Sequence, residues 1–384
     1  MKSWITLLFV FALLLTTVPV VHGEGIEVPA PSAILMDAAT GTVLYEKNAH
    51  ERLAPASVTK VMTLLLVMEA LDSGRISWDD KITASETAAA KGGSQIYLEP
   101  GEQLSMDEMI KSVVVSSAND CATALAEHVA GSESTFVAEM NARAQALGLK
   151  ETNFVNCTGL DDEPNASEHL TSAYDLAIMS RELLRHDRIR DYTTIWMDTV
   201  RDGKFGLSNT NRLVRFYDGT TGLKTGYTSA AGHCLSASAK RDGMELIAVV
   251  LHCSSSTERF ESAKTLLNYG FANYALVDTE PGEAMVPLKV KLGEQELVTP
   301  VLQETAPILV ERGELSRITK TIDLPREWEA PITQGQQLGT MTISVGERIL
   351  ARIPIEAGAS VERLTLWQMT VKLLRRMCMV EQTG

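Results

Sequence analysis

Cysteine is scarce in this sequence, and so is positive charge. The five cysteines among 384 residues, Cys121, Cys157, Cys234, Cys253 and Cys378, show neither the paired spacing nor the density of a disulfide-stapled scaffold. No zinc-ligand spacing occurs among them, and neither a metal nor another cofactor is expected. Lysines and arginines number 35 against 49 aspartates and glutamates, a net charge of -14. Binding a phosphate backbone needs a basic face. No dense Lys/Arg cluster with interleaved aromatics occurs in the body of the chain, which argues against nucleic acid as a partner. Low-complexity blocks and short internal repeats are missing too, which argues against a disordered, fibrous or solenoid architecture. What remains is an ordinary globular composition, 45% hydrophobic and 22% charged, in a chain long enough for two domains.

The N-terminus has the pattern of a secretion signal. Lys2 supplies a basic start, Ile5 to Val21 is almost wholly apolar, and Val21-His22-Gly23 ends in a small residue suited to cleavage. The run is short for a bilayer span and Pro19 interrupts it. Residues 1–23 are therefore read as a cleaved signal, with the mature chain starting near Glu24 and working outside the cytoplasm.

Ala33 to Asp37 and Thr42 to Glu46 read as two strands of a hairpin around Ala39-Thr40-Gly41. Helical periodicity follows in Ser57 to Leu71, Met106 to Val115, Ala118 to Val129, Thr135 to Leu147 and Ser172 to Leu184. Strands return at Cys234 to Ala239 and Glu245 to His252, around a turn at Arg241-Asp242-Gly243-Met244, and a helix near Thr257 to Tyr269 would cover them. The second of these strands is apolar from Leu246 to Leu251, as expected of a central strand covered on both faces. A two-residue turn at Asp242-Gly243 pairs Cys234 with Leu251 and leaves Cys253 a diagonal neighbour, farther than a disulfide prefers, so free thiols are expected. Strands from distant parts of the chain with helices between them predict an α/β domain over residues 24–276, one mixed sheet packed on a helical cluster.

The Pro/Gly/acidic stretch Val277 to Gly282 reads as a linker. Short Val/Ile/Leu-rich segments separated by Gly or Pro then predict a small all-β domain over 277–357, free of histidine and cysteine and suited to a spacer or docking role. The tail, 358–384, sets Val361, Leu364, Trp367, Val371, Leu374 and Cys378 along one helical stripe, with Arg363, Gln368, Lys372, Arg375 and Arg376 elsewhere. It is too polar to span a bilayer. It is expected to lie in a membrane interface, with Trp367 at the headgroup level and its cations toward anionic lipid; packing on its own protein or another subunit is the alternative.

The chemistry lies in three separated clusters. Ser57 and Lys60 sit three apart at the start of a predicted helix, on one face and within reach of each other. A serine hydroxyl needs a partner to take its proton, and a lysine amine serves only when burial or neighbouring cations lower its pKa from ~10.4. Pro55 suits a helix start, where outward N–H groups favour a developing anion. Taken alone, Ser-x-x-Lys is a pattern that chance supplies in any chain of this size. Ser117-Ala118-Asn119 lies in a break between two helices, and Lys224-Thr225-Gly226 lies just before the strand pair. Ser117 can relay a proton to a leaving amine, Asn119 can hold a substrate amide, and Lys224 with Thr225 can meet a carboxylate. Gly226 lets a substrate lie close along the strand edge.

Ser-x-x-Lys, Ser-x-Asn and Lys-Thr-Gly in this order are a recognised signature of β-lactamases and penicillin-binding proteins. With the surrounding Ala54-Pro55-Ala56-Ser57-Val58-Thr59-Lys60, Ser117-Ala118-Asn119-Asp120-Cys121-Ala122 and Gly222-Leu223-Lys224-Thr225-Gly226-Tyr227-Thr228, the chain resembles the low-molecular-mass penicillin-binding proteins, the D-alanyl-D-alanine carboxypeptidase family of serine S11 peptidases. The resemblance covers nearly the whole chain, including the β-rich domain and amphipathic tail. It implies the penicillin-binding, β-lactamase-like transpeptidase fold, with a mainly antiparallel sheet, and a two-step acyl transfer on peptidoglycan pentapeptides ending in D-Ala-D-Ala. Ser57 would be the nucleophile and Lys60 the general base, and β-lactam antibiotics would acylate the same serine. It also implies an oxyanion hole from the N–H groups of Ser57 and Tyr227, with Arg259 helping to bind the terminal carboxylate; a surface cation starting the covering helix is the plainer role for Arg259. Secretion and the tail together place the enzyme on the outer face of the cytoplasmic membrane.

Two other functions remain to be separated from this one. A β-lactamase shares the nucleophile, and Glu163-Pro164-Asn165 superficially resembles its deacylation loop. Ser117-Ala118-Asn119 and His169-Leu170-Thr171-Ser172-Ala173-Tyr174-Asp175 look instead like the carboxypeptidase forms. A non-catalytic wall sensor could keep the pocket, but the intact Ser57-Lys60 pair weighs against it.

Overall fold

The apolar run Leu246 to Leu251 becomes the middle of a five-stranded sheet, as its lack of a polar face requires. The computed structural model describes residues 26–380, Glu163 and Glu283 excepted, so the secretion signal and Glu163 lie outside the described residues. The strands are β1 (Ser32–Asp37), β2 (Val43–Lys47), β3 (Thr220–Thr228), β4 (Gly232–Arg241) and β5 (Met244–Cys253). Their order is β2-β1-β5-β4-β3, with every ladder antiparallel. Alternate residues of β5 serve two cores. Ile247, Val249 and Leu251 face a helical cluster, whereas Leu246, Ala248 and Val250 lie under Phe260, Ala263, Leu266 and Leu267 of a covering helix, Ser256–Asn273.

The helical cluster contains α1 (Lys60–Asp72), α2 (Met106–Val115), α3 (Asn119–Ala130), α4 (Glu133–Ala146) and α5 (Ala173–Leu184), and the covering helix is α6. Serine caps mark the starts of α2, α4, α5 and α6, and Ser105 with Glu108 forms a full capping box on α2. Helix α1 is apolar around almost its whole circumference and is the central helix, buried from Lys60 to Leu71 except at Glu69. The single helix expected from Ser57 onward is divided: Ala56–Thr59 is a 3-10 turn that leads into α1 at Lys60.

Strand β3 was not legible as a strand, because Thr-Thr-Gly-Leu-Lys-Thr-Gly has no apolar alternation; its pairing with β4 makes it the sheet's edge. The β4–β5 turn is tight. Asp242 and Gly243 both have positive φ, and Arg241 pairs with Met244. The register projected from that turn breaks at a bulge between His233 and Leu235, which puts Cys253 opposite His233. Cys121, Cys157, Cys234 and Cys253 are free and buried.

Beyond the first domain the chain forms a three-stranded sheet around Leu288–Lys291 and a four-stranded sheet around Gln337–Val345 and Arg348–Ala357. Tyr274–Val277 pairs with Ile308–Glu311, so one strand carries the chain from the first region into the second. The tail helix, α7 (Leu366–Val380), starts later than the stripe suggests. Val361 is buried and bridges to Ile332, and the Leu364 N–H donates to the Leu292 carbonyl, so both belong to the β domain. Arg363 pairs with Glu329 and Lys372 with Glu296. The exposed residues of α7 include Leu366, Trp367, Leu373 and Leu374.

Candidate active site

The 3-10 turn puts Ser57 directly against the first residue of α1. Lys60 is fully buried, and its Nζ lies 3.0 Å from Ser57 Oγ, 2.6 Å from Asn119 Oδ1 and 2.8 Å from the Thr158 carbonyl. Burial penalises the ammonium, and the Lys60 pKa is pulled down to about 7, with Asp120 acting in the opposite direction. Asn119, at the start of α3, uses its Oδ1 on Lys60 and donates one Nδ2–H to the Gly92 carbonyl at 2.8 Å. The amide has a second N–H for a ligand. Asp120 accepts from the backbone N–H groups of Ile96 and Leu98, so the start of α3 organises the 92–98 loop beside the site.

Ser117 occupies the break between α2 and α3 with a φ of 63°, and its buried Oγ has no partner among the described residues. A left-handed non-glycine residue and an unpaired buried hydroxyl each cost roughly 1–3 kcal/mol, a pattern that clusters at functional sites.

The third cluster lies on the edge strand. Lys224 is buried and donates to the Thr225 carbonyl at 2.9 Å; burial first, then the charges of Lys60 and Arg259, hold its pKa well below the ordinary lysine value. Thr225 Oγ1 donates to Thr210 Oγ1 at 2.7 Å. Gly226 has a different reason from the one expected. A Cβ there would lie 2.8 Å from the Pro55 carbonyl oxygen and 3.0 Å from Ser57 N, so glycine lets the edge strand approach the nucleophile's own turn. Tyr227 is exposed and stacks on His233 with ring centroids 4.4 Å apart.

Arg259 is not a surface cation. It is buried in the first turn of α6, where Nη1 donates to the Gly226 carbonyl at 3.0 Å, and its Nε has no partner among the described residues. The structure thus joins Ser57, Lys60 and Asn119 by hydrogen bonds, brings Gly226 against the same turn, and sets Arg259 on the Gly226 carbonyl. Ser117 and Tyr227 make no side-chain hydrogen bond to that group. Cys121 is no reactive thiol: burial, above all, pushes its pKa well above the usual range.

Sequence reasoning missed Thr158, Gly159 and Thr210 as parts of the site's surroundings, and it noted His169 only as the first residue of a carboxypeptidase-like stretch without giving it a place in the site. Thr158 acts through its carbonyl, which no side-chain pattern encodes. His169 and Gly159 meet the nucleophile's turn only through the fold. Among the described residues, no group of three or more His, Cys, Asp or Glu side chains is placed to hold a metal ion.

Two family models match. One, described as D-alanyl-D-alanine carboxypeptidase, peptidase S11, covers residues 18–255; the other, the C-terminal domain of penicillin-binding protein 5, covers 279–363. The D-alanyl-D-alanine carboxypeptidase DacF of Bacillus subtilis is 45% identical over 336 residues, 85% of each chain. Penicillin-binding protein 5 from Haemophilus influenzae superposes with a TM-score of 0.71 at 31% identity, over 88% of this chain and 99% of that one. Penicillin-binding protein D2 from Listeria monocytogenes, solved with ampicillin bound, is similar over 64% of this chain and 99% of its own, with a TM-score of 0.59 and 30% identity.

Proposed function

Since the chain belongs to the S11 family of D-alanyl-D-alanine carboxypeptidases, we propose that Ser57 is the nucleophile that removes the terminal D-alanine from peptidoglycan pentapeptides. The carrying observation is the buried Lys60 amine 3.0 Å from Ser57 Oγ. In its neutral form the amine has two N–H bonds and one lone pair. Asn119 Oδ1 and the Thr158 carbonyl accept the two N–H bonds, which leaves the lone pair for the Ser57 proton. As Ser57 Oγ bonds to the carbonyl carbon between the two D-alanines, its proton passes to Lys60. The C–N bond then breaks as the proton held by Lys60 passes to the leaving amine, with the unpaired Ser117 hydroxyl as the relay. Water hydrolyses the ester and restores Ser57.

The N–H groups of Ser57 and Tyr227 supply the oxyanion hole, a reading supported by the close approach of Gly226 to Ser57 N. Lys224, Thr225 and Arg259 supply the positive, hydrogen-bonding edge for the terminal carboxylate. The mature chain incubated with a peptide ending in D-alanyl-D-alanine is expected to release D-alanine, and benzylpenicillin to leave a long-lived ester on Ser57. No release would favour a wall-binding sensor; rapid multiple turnover of penicillin would make it a β-lactamase.

A base with a pKa of about 7 sets the sign of the pH dependence. Protonated Lys60 cannot take the serine proton, so kcat/KM is expected to rise with pH through about 7 and level off above it. A profile already flat at pH 5 would remove Lys60 as the base.

The position of the enzyme follows the same reading. We infer that it works on the outer face of the cytoplasmic membrane, on the strength of the N-terminal secretion pattern and of α7. Among the described residues no helix is long and apolar enough to cross a membrane. An in-plane helix needs only one apolar face, and Leu366, Trp367, Leu373 and Leu374 provide it. Of the expected cations, Lys372 is engaged by Glu296 and Arg363 by Glu329. Leu366→Glu with Trp367→Glu should abolish co-sedimentation with anionic vesicles while D-alanine release persists; unchanged sedimentation would overturn the anchor.

A further inference from the structure

We propose that His169 is a positioning residue for the nucleophile: through Thr59 it holds the Ala56 carbonyl, and so the shape of the turn that presents Ser57 to Lys60. The proposal rests on the acyl-transfer reading above, since it assigns a device that supports that chemistry.

His169 is 3% exposed and makes both ring contacts inside the protein. The Val155 N–H donates to its Nδ1 at 3.1 Å, and its Nε2 lies 2.8 Å from Thr59 Oγ1. An imidazole nitrogen that accepts carries no proton, so the proton of the neutral ring is on Nε2 and donates to Thr59. Thr59 Oγ1 in turn donates to the Ala56 carbonyl at 2.8 Å. The chain of donors thus runs Val155 N–H, His169, Thr59 hydroxyl, Ala56 carbonyl. A threonine hydroxyl alone can rotate its single proton. With one lone pair occupied by His169, that proton is directed onto the carbonyl.

The end of the chain of donors matters because Ala56, immediately before the nucleophile, has a φ of 50°. Alanine adopts this left-handed region only when its surroundings impose it. Gly159 closes the other side: a Cβ there would lie 1.8 Å from the Ala56 carbonyl oxygen and 2.7 Å from Thr59 Oγ1. His169 cannot itself be the base, being buried and bonded at both nitrogens. Burial first, then the nearby Lys60 charge, lowers its pKa to about 4, so it stays a neutral donor where the enzyme works.

Three variants separate positioning from mere packing. Thr59→Val removes the hydroxyl at similar volume. His169→Asn keeps an acceptor for Val155 but falls short of Thr59, whereas His169→Gln places an N–H near the lost Nε2. With rates referred to sites titrated by benzylpenicillin, Thr59→Val and His169→Asn should each lower kcat and the acylation rate roughly 10–100-fold with KM within about threefold of native. His169→Gln should recover most of the loss, and the Thr59→Val/His169→Asn double variant should fall no more than about threefold below the slower single. Equal losses in the Asn and Gln variants, multiplicative losses in the double, or variants that melt earlier but acylate at the native rate would overturn the relay. If the native protein acylates yet releases no D-alanine, the carboxypeptidase reading fails, and the acylation rates still judge His169.

Discussion

Ser57→Ala is expected to abolish D-alanine release and covalent benzylpenicillin labelling together, while the protein melts within about 2 °C of native. The size of the first effect follows from the chemistry: without the hydroxyl no acyl-enzyme forms, and loss of a serine nucleophile costs roughly 10⁴–10⁶ in kcat. The small structural effect follows from the surroundings. Lys60 keeps Asn119 Oδ1 and the Thr158 carbonyl as acceptors when Ser57 Oγ is removed, so no buried donor loses its only partner. Mass spectrometry of the penicillin-treated variant is the measurement. An adduct that survives on another peptide would identify a different nucleophile.

Gly159→Ala is expected to damage folding and catalysis at once. Its φ is 82°, and the added Cβ would fall 1.8 Å from the Ala56 carbonyl oxygen and 2.3 Å from the Ala56 carbonyl carbon. Both are backbone atoms, so no side chain can swing aside. Overpacking costs ~1–3 kcal/mol and a left-handed alanine ~1–2 kcal/mol, together lowering the melting temperature by about 5–15 °C for a domain of this size. Because the displaced atoms belong to the turn that carries Ser57, the surviving folded protein should also acylate about 100-fold more slowly. Gly74→Ala is the control: that glycine is also left-handed, with a φ of 71°, but a Cβ there meets nothing within 4 Å. Its loss should be ~1–2 kcal/mol with acylation unchanged. Equal melting of the two variants would show that the close packing of Gly159 on Ala56 is wrong.

Legibility differed from element to element for physical reasons. The 3-10 turn at Ala56–Thr59 was hidden because the periodicity of Ser57 to Leu71 looks the same whether the first turn is 3-10 or α. Strand β3 was hidden because two glycines and a lysine erase its alternation, although that strand carries Lys224, Thr225 and Gly226. The β4–β5 turn was readable because Asp-Gly suits two consecutive positive-φ residues; the bulge beyond it was not, since a bulge answers to the neighbouring strand. Val361 and Leu364 joined the tail's stripe by spacing alone, and their contacts with Ile332 and Leu292 assign them to the β domain.

What the amino-acid sequence determined by itself was local: the reach of Ser57 to Lys60 three residues on, the apolar run that became β5, the Asp-Gly turn, and the identity of the three chemical clusters. Each of these depends on neighbours within a few residues. The tertiary structure alone decided the burial that brings Lys60 to about 7, the use of Gly226 against the nucleophile's turn and not a substrate, the buried orientation of Arg259 toward the Gly226 carbonyl, and the meeting of His169 with Thr59 and of Gly159 with Ala56. Desolvation and close packing arise from residues far apart in the chain, such as Gly226 with Arg259, His169 with Thr59 and Gly226 with Ser57. Local patterns are blind to such pairs because only the folded chain brings them within a few ångströms.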